Sequence, residues 1–183
     1  MESTEAQIVQ VAEAVNSVFG KEADSTLKYF TPDGAIHAAN DAVSPELIFD
    51  AALWAKGYTG IIEKVIIREH AATGSTKDAE LILVLFDVNT LTITQNSGVT
   101  LDTNTDIYNV LTHITIPAAN YKNPPGNSDD AIAVKKPDDD ENNIIVASED
   151  SRALKGVLFC TGTPDWDASA ELSVELKIKW LAN

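Results

Sequence analysis

The sequence predicts an all-β protein, an antiparallel β-sandwich of jelly-roll type preceded by an amphipathic helix. Three observations carry that expectation. Near the C-terminus Leu172, Val174, Leu176, Ile178 and Trp180 alternate strictly with Ser173, Glu175, Lys177 and Lys179, the pattern of a strand with one wet face. Leu81 to Phe86 has no polar residue on either face and reads as a central strand covered on both sides. Beyond residue 60, short apolar segments are divided by Gly, Pro, Asn and Asp turns with weak helical content, which favours a sandwich or jelly roll.

Taken in order, residues 4 to 19 place Ile8, Val11, Val15 and Val18 at helical spacing. Thr4 with Gln7 fits a capping box, and Gly20 with Lys21 supplies a stop. The 8, 11, 15, 18 seam also fits a short coiled coil, so these four residues are the candidate oligomer or anchor contacts. Thr31-Pro-Asp-Gly34 is a turn, with proline fixing φ and glycine free to adopt a positive one. Ser44-Pro45-Glu46 leaves two readings open, a helix running to Trp54 or a strand at Leu47-Ile48-Phe49. Ile61 to Glu69 is β-branched and extended, and ends at a loop over 71–78.

Farther along, Thr103 with Asp106 caps an expected short helix around Ile107 to Leu111, followed by a strand from Thr112 to Ile116 that Pro117 terminates. Residues 120–142, with Asn123-Pro-Pro-Gly126 and the acidic run 138–141, read as a polar surface connection. Ile144 to Val146 and Leu154 to Cys160 supply two more strands. The division that follows is an N-terminal helical extension over 1–25 and a β-sandwich domain over 26–183, since 183 residues suit one domain with a sizeable core.

The composition bounds the function. A formal charge of −15 argues against direct binding of nucleic acid through its phosphates, which needs a local surplus of lysine and arginine. An acidic exterior instead keeps a protein soluble until it meets its partner. No apolar run approaches the roughly 20 residues of a membrane-spanning helix, so no membrane association is expected. The acidic, Gln-interrupted start does not resemble a signal peptide, and folding in the cytoplasm is expected. The single cysteine, Cys160, lies in an apolar stretch and reads as a small buried hydrophobe.

Candidate chemistry is sparse. The chain contains no GxSxG, Walker A, GxGxxG or HExxH motif, and His37, His70 and His113 stand on separate segments without ligand-like spacing. The acidic run at 138–141 lacks the alternating Asp-x-Asp-x-Asp-Gly loop of a calcium site and reads as a solvated charge run. Trp54, Tyr58, Tyr121 and Trp166 would line a carbohydrate groove if they shared an exposed face; anchoring in the core is the more ordinary role. The expectation is a protein without catalytic, metal-ligating or cofactor-binding residues.

Several segments together resemble a family of small virion proteins of tailed bacteriophages, encoded among head genes. The family opening of Tyr-Ala-Ala-x-Asp-Val type is similar to Ile36-His-Ala-Ala-Asn-Asp-Ala-Val43, and its glycine-bounded strand to Gly57-Tyr-Thr-Gly-Ile-Ile-Glu-Lys-Val-Ile-Ile67. Its Leu-x-Leu-x-Leu-Phe-Asp strand stands here as Leu81-Ile-Leu-Val-Leu-Phe-Asp87, followed by Asp106-Ile-Tyr-Asn-Val-Leu-Thr-His-Ile-Thr-Ile116. The last piece resembles Leu154-Lys-Gly-Val-Leu-Phe-Cys160 with Leu172 to Leu181. The order and spacing agree over residues 35–181. His37 departs from the pattern by standing where an aromatic is common, and the helix of residues 4–19 is an addition. The resemblance implies a jelly-roll-related sandwich on the particle, an auxiliary or decoration subunit of the head. Its partners would be the major capsid protein or other virion proteins, with a homo-oligomer such as a trimer formed through the N-terminal helix. A tail, neck or head-fibre attachment protein, or a carbohydrate-binding module on the virion, is the alternative.

Overall fold

The computed structural model describes residues 26–50, 52, 59–72, 74–86, 93–98, 110–137, 144–146 and 153–181. Its strands, in chain order, are β1 (Thr26–Phe30), β2 (Leu47–Phe49), β3 (Thr59–His70), β4 (Leu81–Phe86), β5 (Val110–Ile116), β6 (Tyr121–Lys122), β7 (Asp130–Lys135), β8 (Ile144–Val146), β9 (Leu154–Cys160) and β10 (Glu171–Leu181). They form two antiparallel sheets. One runs β1-β10-β3-β7-β6, with β8 pairing the start of β3, and the other runs β2-β9-β4-β5.

The pairings are nested: β1 with β10, β2 with β9, β3 with β7 and β4 with β5. Such a set is one long antiparallel ribbon rolled up so that successive rungs fall in alternate sheets. The roll is closed by β10 on β3 and by β9 on β4. This is the strand arrangement of a jelly roll, and it confirms the expected antiparallel β-sandwich; the helix expected over residues 4–19 lies outside the described residues. The space between the sheets is packed with apolar side chains, among them Phe49, Ile62, Ile67, Leu83, Leu85, Ile114, Ile116, Leu158 and Leu176, all fully buried. At about 25 cal/mol per Å² of apolar surface removed from water, burial of this kind is the main force holding the two sheets face to face.

Glycine serves close approach at two points. A Cβ on Gly156 would meet Phe49 Cε2 at 2.9 Å and Leu85 Cδ2 at 3.0 Å, so β9 passes beneath core side chains that leave no room for one. At Gly34 it would meet Ala168 backbone at 2.5 Å. Gly34 does not use the positive φ open to it; the described glycines with positive φ are Gly74 and Gly126. Gly34 is needed there because two loops touch.

Several other expectations are corrected. The Ser44-Pro45 ambiguity resolves to a strand over Leu47–Phe49. Val110 and Leu111 belong to β5, so the short helix expected to reach Leu111 does not; the residues before Val110 in that helix lie outside those described. The segment 120–142 is not a plain surface connection, because it contains β6 and β7. β7 escapes a hydropathy reading because its pattern is inverted. Its small residues Ala131 and Ala133 are buried while Ile132 and Val134 are exposed. Two of the four residues expected on the wet face of β10, Ser173 and Glu175, are buried. β4 is central, as expected, but only one face is fully buried; Ile82 and Val84 on the other are half-buried.

Candidate functional site

Two polar constellations stand out on the six-stranded sheet, one facing inward and one outward. The inward one is centred on Glu69. Alternation along β3 sends Val65, Ile67 and Glu69 into the interior, so the carboxylate caps one end of the core at 2% exposure. Its oxygens accept from the backbone N–H of Lys77 at 2.6 Å, that of Asp78 at 3.2 Å and the indole Nε1 of Trp166 at 2.9 Å. One side chain thus ties β3, the loop after it and the loop before β10. Burial pushes the Glu69 carboxyl above its ordinary range, opposed by those three donors.

His37 packs edge-on against Trp166, with ring centroids 5.4 Å apart, and is fully buried. Its Nε2 lies 3.3 Å from Asp33 Oδ1, yet neither ring nitrogen has the alignment of a hydrogen bond. The imidazole thus serves as part of the aromatic packing at this end of the core. The buried Tyr121 hydroxyl has no hydrogen-bond partner among the described residues, and its phenol is pushed up by burial and then by the charges of Glu69 and Asp78.

The outward constellation follows from strand register. Tyr29 pairs with Ser173, Ser173 with Arg68, Arg68 with Ile132 and Ile132 with Lys122, so these five form one row across β1, β10, β3, β7 and β6. Serine is the shortest side chain in the row, and its place between tyrosine and arginine leaves a notch. Arg68 Nη2 donates to Glu175 Oε2 at 2.6 Å, and Lys177 Nζ lies 2.7 Å from Glu175 Oε1. Hydrogen bonds from Lys177 and, after it, Arg68 hold the Glu175 carboxyl below its usual range against the opposing effect of burial. Ser173 Oγ and Arg68 Nη1 are buried without a hydrogen-bond partner among the described residues. The notch forms a groove of about 330 Å³ lined by Tyr29, Arg68, His70, Pro124, Ile132 and Ser173, and also by Glu171 and Asp130. His70 Nδ1 and Asp130 Oδ1 are 2.7 Å apart.

The candidate contacts Ile8, Val11, Val15 and Val18 lie outside the described residues, as do Trp54, Tyr58 and the acidic run 138–141. Tyr121 and Trp166, by contrast, are 6% and 1% exposed, so neither offers a ring face to a sugar. His70 is paired with Asp130, and His113 is exposed on β5. Cys160 is fully buried and its thiol is pushed up by burial, the behaviour expected of a small hydrophobe. Among the described residues no helix is long and apolar enough to cross a membrane, and no group of three or more His, Cys, Asp or Glu is placed to hold a metal ion. Sequence reasoning missed Glu69, Arg68 and Ser173. The available signal was the break in apolar alternation where Glu69 follows Val65 and Ile67.

No protein-family model matches the sequence, and no curated protein matches it. Among solved structures the chain is similar to one from the structure of Tomato Aspermy Virus determined by X-ray crystallography. The identity is 10%, over 97% of this chain and 96% of that one, with a TM-score of 0.26. A superposition that loose bears on neither fold nor role.

Proposed function

We propose that this chain is a structural protein of a bacteriophage virion, an auxiliary or decoration subunit that binds the head shell and stabilises it without catalysing a reaction. The observation that carries the reading is a jelly roll whose interior is filled by its own side chains, so that what it offers a partner is surface. Jelly rolls serve capsids, lectins and enzymes alike, and the fold by itself does not choose among them. The resemblance over residues 35–181 supports the phage assignment. The mixed outer face of the six-stranded sheet supports docking, since Tyr29, Ile132 and Val134 are exposed there beside Arg68 and Lys177. An acidic monomer of this kind would attach to a preformed lattice of major capsid protein through buried area and edge-strand pairing. The N-terminal seam of Ile8, Val11, Val15 and Val18 would trimerise it or anchor it.

The test is the protein's location and copy number in an intact particle. Hundreds of copies on the shell, with purified protein rebinding stripped heads and raising their thermal resistance, are the expected result. A dozen or fewer copies near one vertex would place the chain in the neck, tail or fibre attachment instead. Absence from the particle would end the virion reading.

A further inference from the structure

We infer that the notch over Ser173 is the docking pocket itself, and that it receives one bulky, uncharged apolar side chain of a protein partner, seated between Tyr29 and Ile132. The peptide carbonyl beside that side chain accepts hydrogen bonds from Ser173 Oγ and Arg68 Nη1. The inference rests on the docking reading for why a partner is present, and names the chemistry the partner must bring.

The floor of the groove sets the first requirement. Ser173 is 2% exposed and its Oγ has no partner; Arg68 commits Nη2 to Glu175 and leaves Nη1 without one. A buried donor left unpaired costs free energy that an incoming acceptor recovers, so the floor favours a ligand with an acceptor atom. The walls set the second. Tyr29 is 71% exposed and Ile132 40%, and together with Pro124 they present apolar surface on both sides of the notch. A tyrosine on an interface supplies large contact area at small entropic cost. The charges set the third: Glu171 and Asp130 line the groove together with Arg68, whose Nη2 is already paired with Glu175, so an anionic group meets more carboxylates than uncommitted cations. A volume of about 330 Å³ lies at the small end of ligand pockets, which span about 300–1,000 Å³, and suits one side chain with its peptide group better than an extended ligand.

The test titrates N-acetyl-phenylalaninamide into the isotope-labelled full chain and follows amide chemical shifts. Saturable shifts at Tyr29, Ser173, Arg68 and Ile132 are expected, with a Kd on the order of 1 mM for a ligand of this size. Tyr29→Ala should weaken binding more than about tenfold and Ser173→Ala about fivefold, the loss of one hydrogen bond. Ile132→Asp should block it. Tyr29 and Ile132 are exposed, so these variants test the site even if Ser173→Ala disturbs β10. The proposal fails if no saturable shifts occur, if Tyr29→Ala leaves them unchanged, or if N-acetyl-aspartic acid amide or N-acetylglucosamine binds more tightly at the same residues. The measurement needs no particle: a silent titration with abundant copies on the shell overturns the pocket and leaves the docking role standing.

Discussion

Glu69 on β3 and Glu175 on β10 belong to paired central strands and are both almost fully buried, yet they occupy opposite electrostatic situations. Glu69 points between the sheets and meets only neutral donors, so withdrawal from water dominates and its carboxyl is raised. Glu175 points outward between two cations, and their hydrogen bonds outweigh burial and lower it. The difference teaches that burial alone does not fix the state of a carboxylate; the charge of what is buried beside it does. It also separates two tasks, since the inward cluster clips loops to the core while the outward pair holds the floor of the groove in place.

The largest expected effect comes from removing the partner that most nearly encloses Glu69. Trp166→Ala deletes a fully buried ring packed on His37 and leaves Glu69 short of one donor, and should cost about 4 kcal/mol in urea unfolding. A loss under about 1 kcal/mol would mean that the cluster is peripheral to stability.

Next in size is Glu69→Gln, where an amide supplies a single acceptor oxygen and so gives up one of three hydrogen bonds, at about 1 kcal/mol. Its pH dependence matters more. A raised native value means that the contribution of the protonated acid is fully present below the unfolded carboxylate range and is lost as pH rises through the native value. The stability of wild type relative to this variant should therefore fall as pH rises.

The smallest effect belongs to Glu175→Gln, about 1 kcal/mol or less, because Arg68 and Lys177 remain partly solvated. Its sign is reversed. A lowered native value gives stability that is present above the unfolded carboxylate range and lost as pH falls through the native one. Wild type should gain on this variant with rising pH, and added salt should shrink the gap. Parallel slopes for the two glutamine variants would break the comparison.

How much of this was legible beforehand differs by element. β10 was readable because large apolar residues occupy its inward positions, and β4 because an unbroken apolar run has few other uses. β7 was not, since its inward residues are alanines and its large residues face out. The alternation is present but carries the opposite sign, and the proline-rich residues before it and the acidic run after it read as loop. The outer face of β10 was misread as wet for a related reason. Ser173 is buried because Tyr29 and Arg68 flank it on neighbouring strands, a fact of register that no window along one strand contains.

By itself the sequence determined the alternation that makes strands, the turns that end them and an acidic balance unsuited to phosphate binding, because each of these is a property of neighbours along the chain or of composition. Only the rolled tertiary structure decided which strands pair, that Glu69 would meet Trp166, 97 residues away, and that a serine set between a tyrosine and an arginine would open a groove. Those outcomes depend on closing long loops into one nested ladder. Periodicity along a strand says which face a side chain takes, and says nothing about what stands across from it.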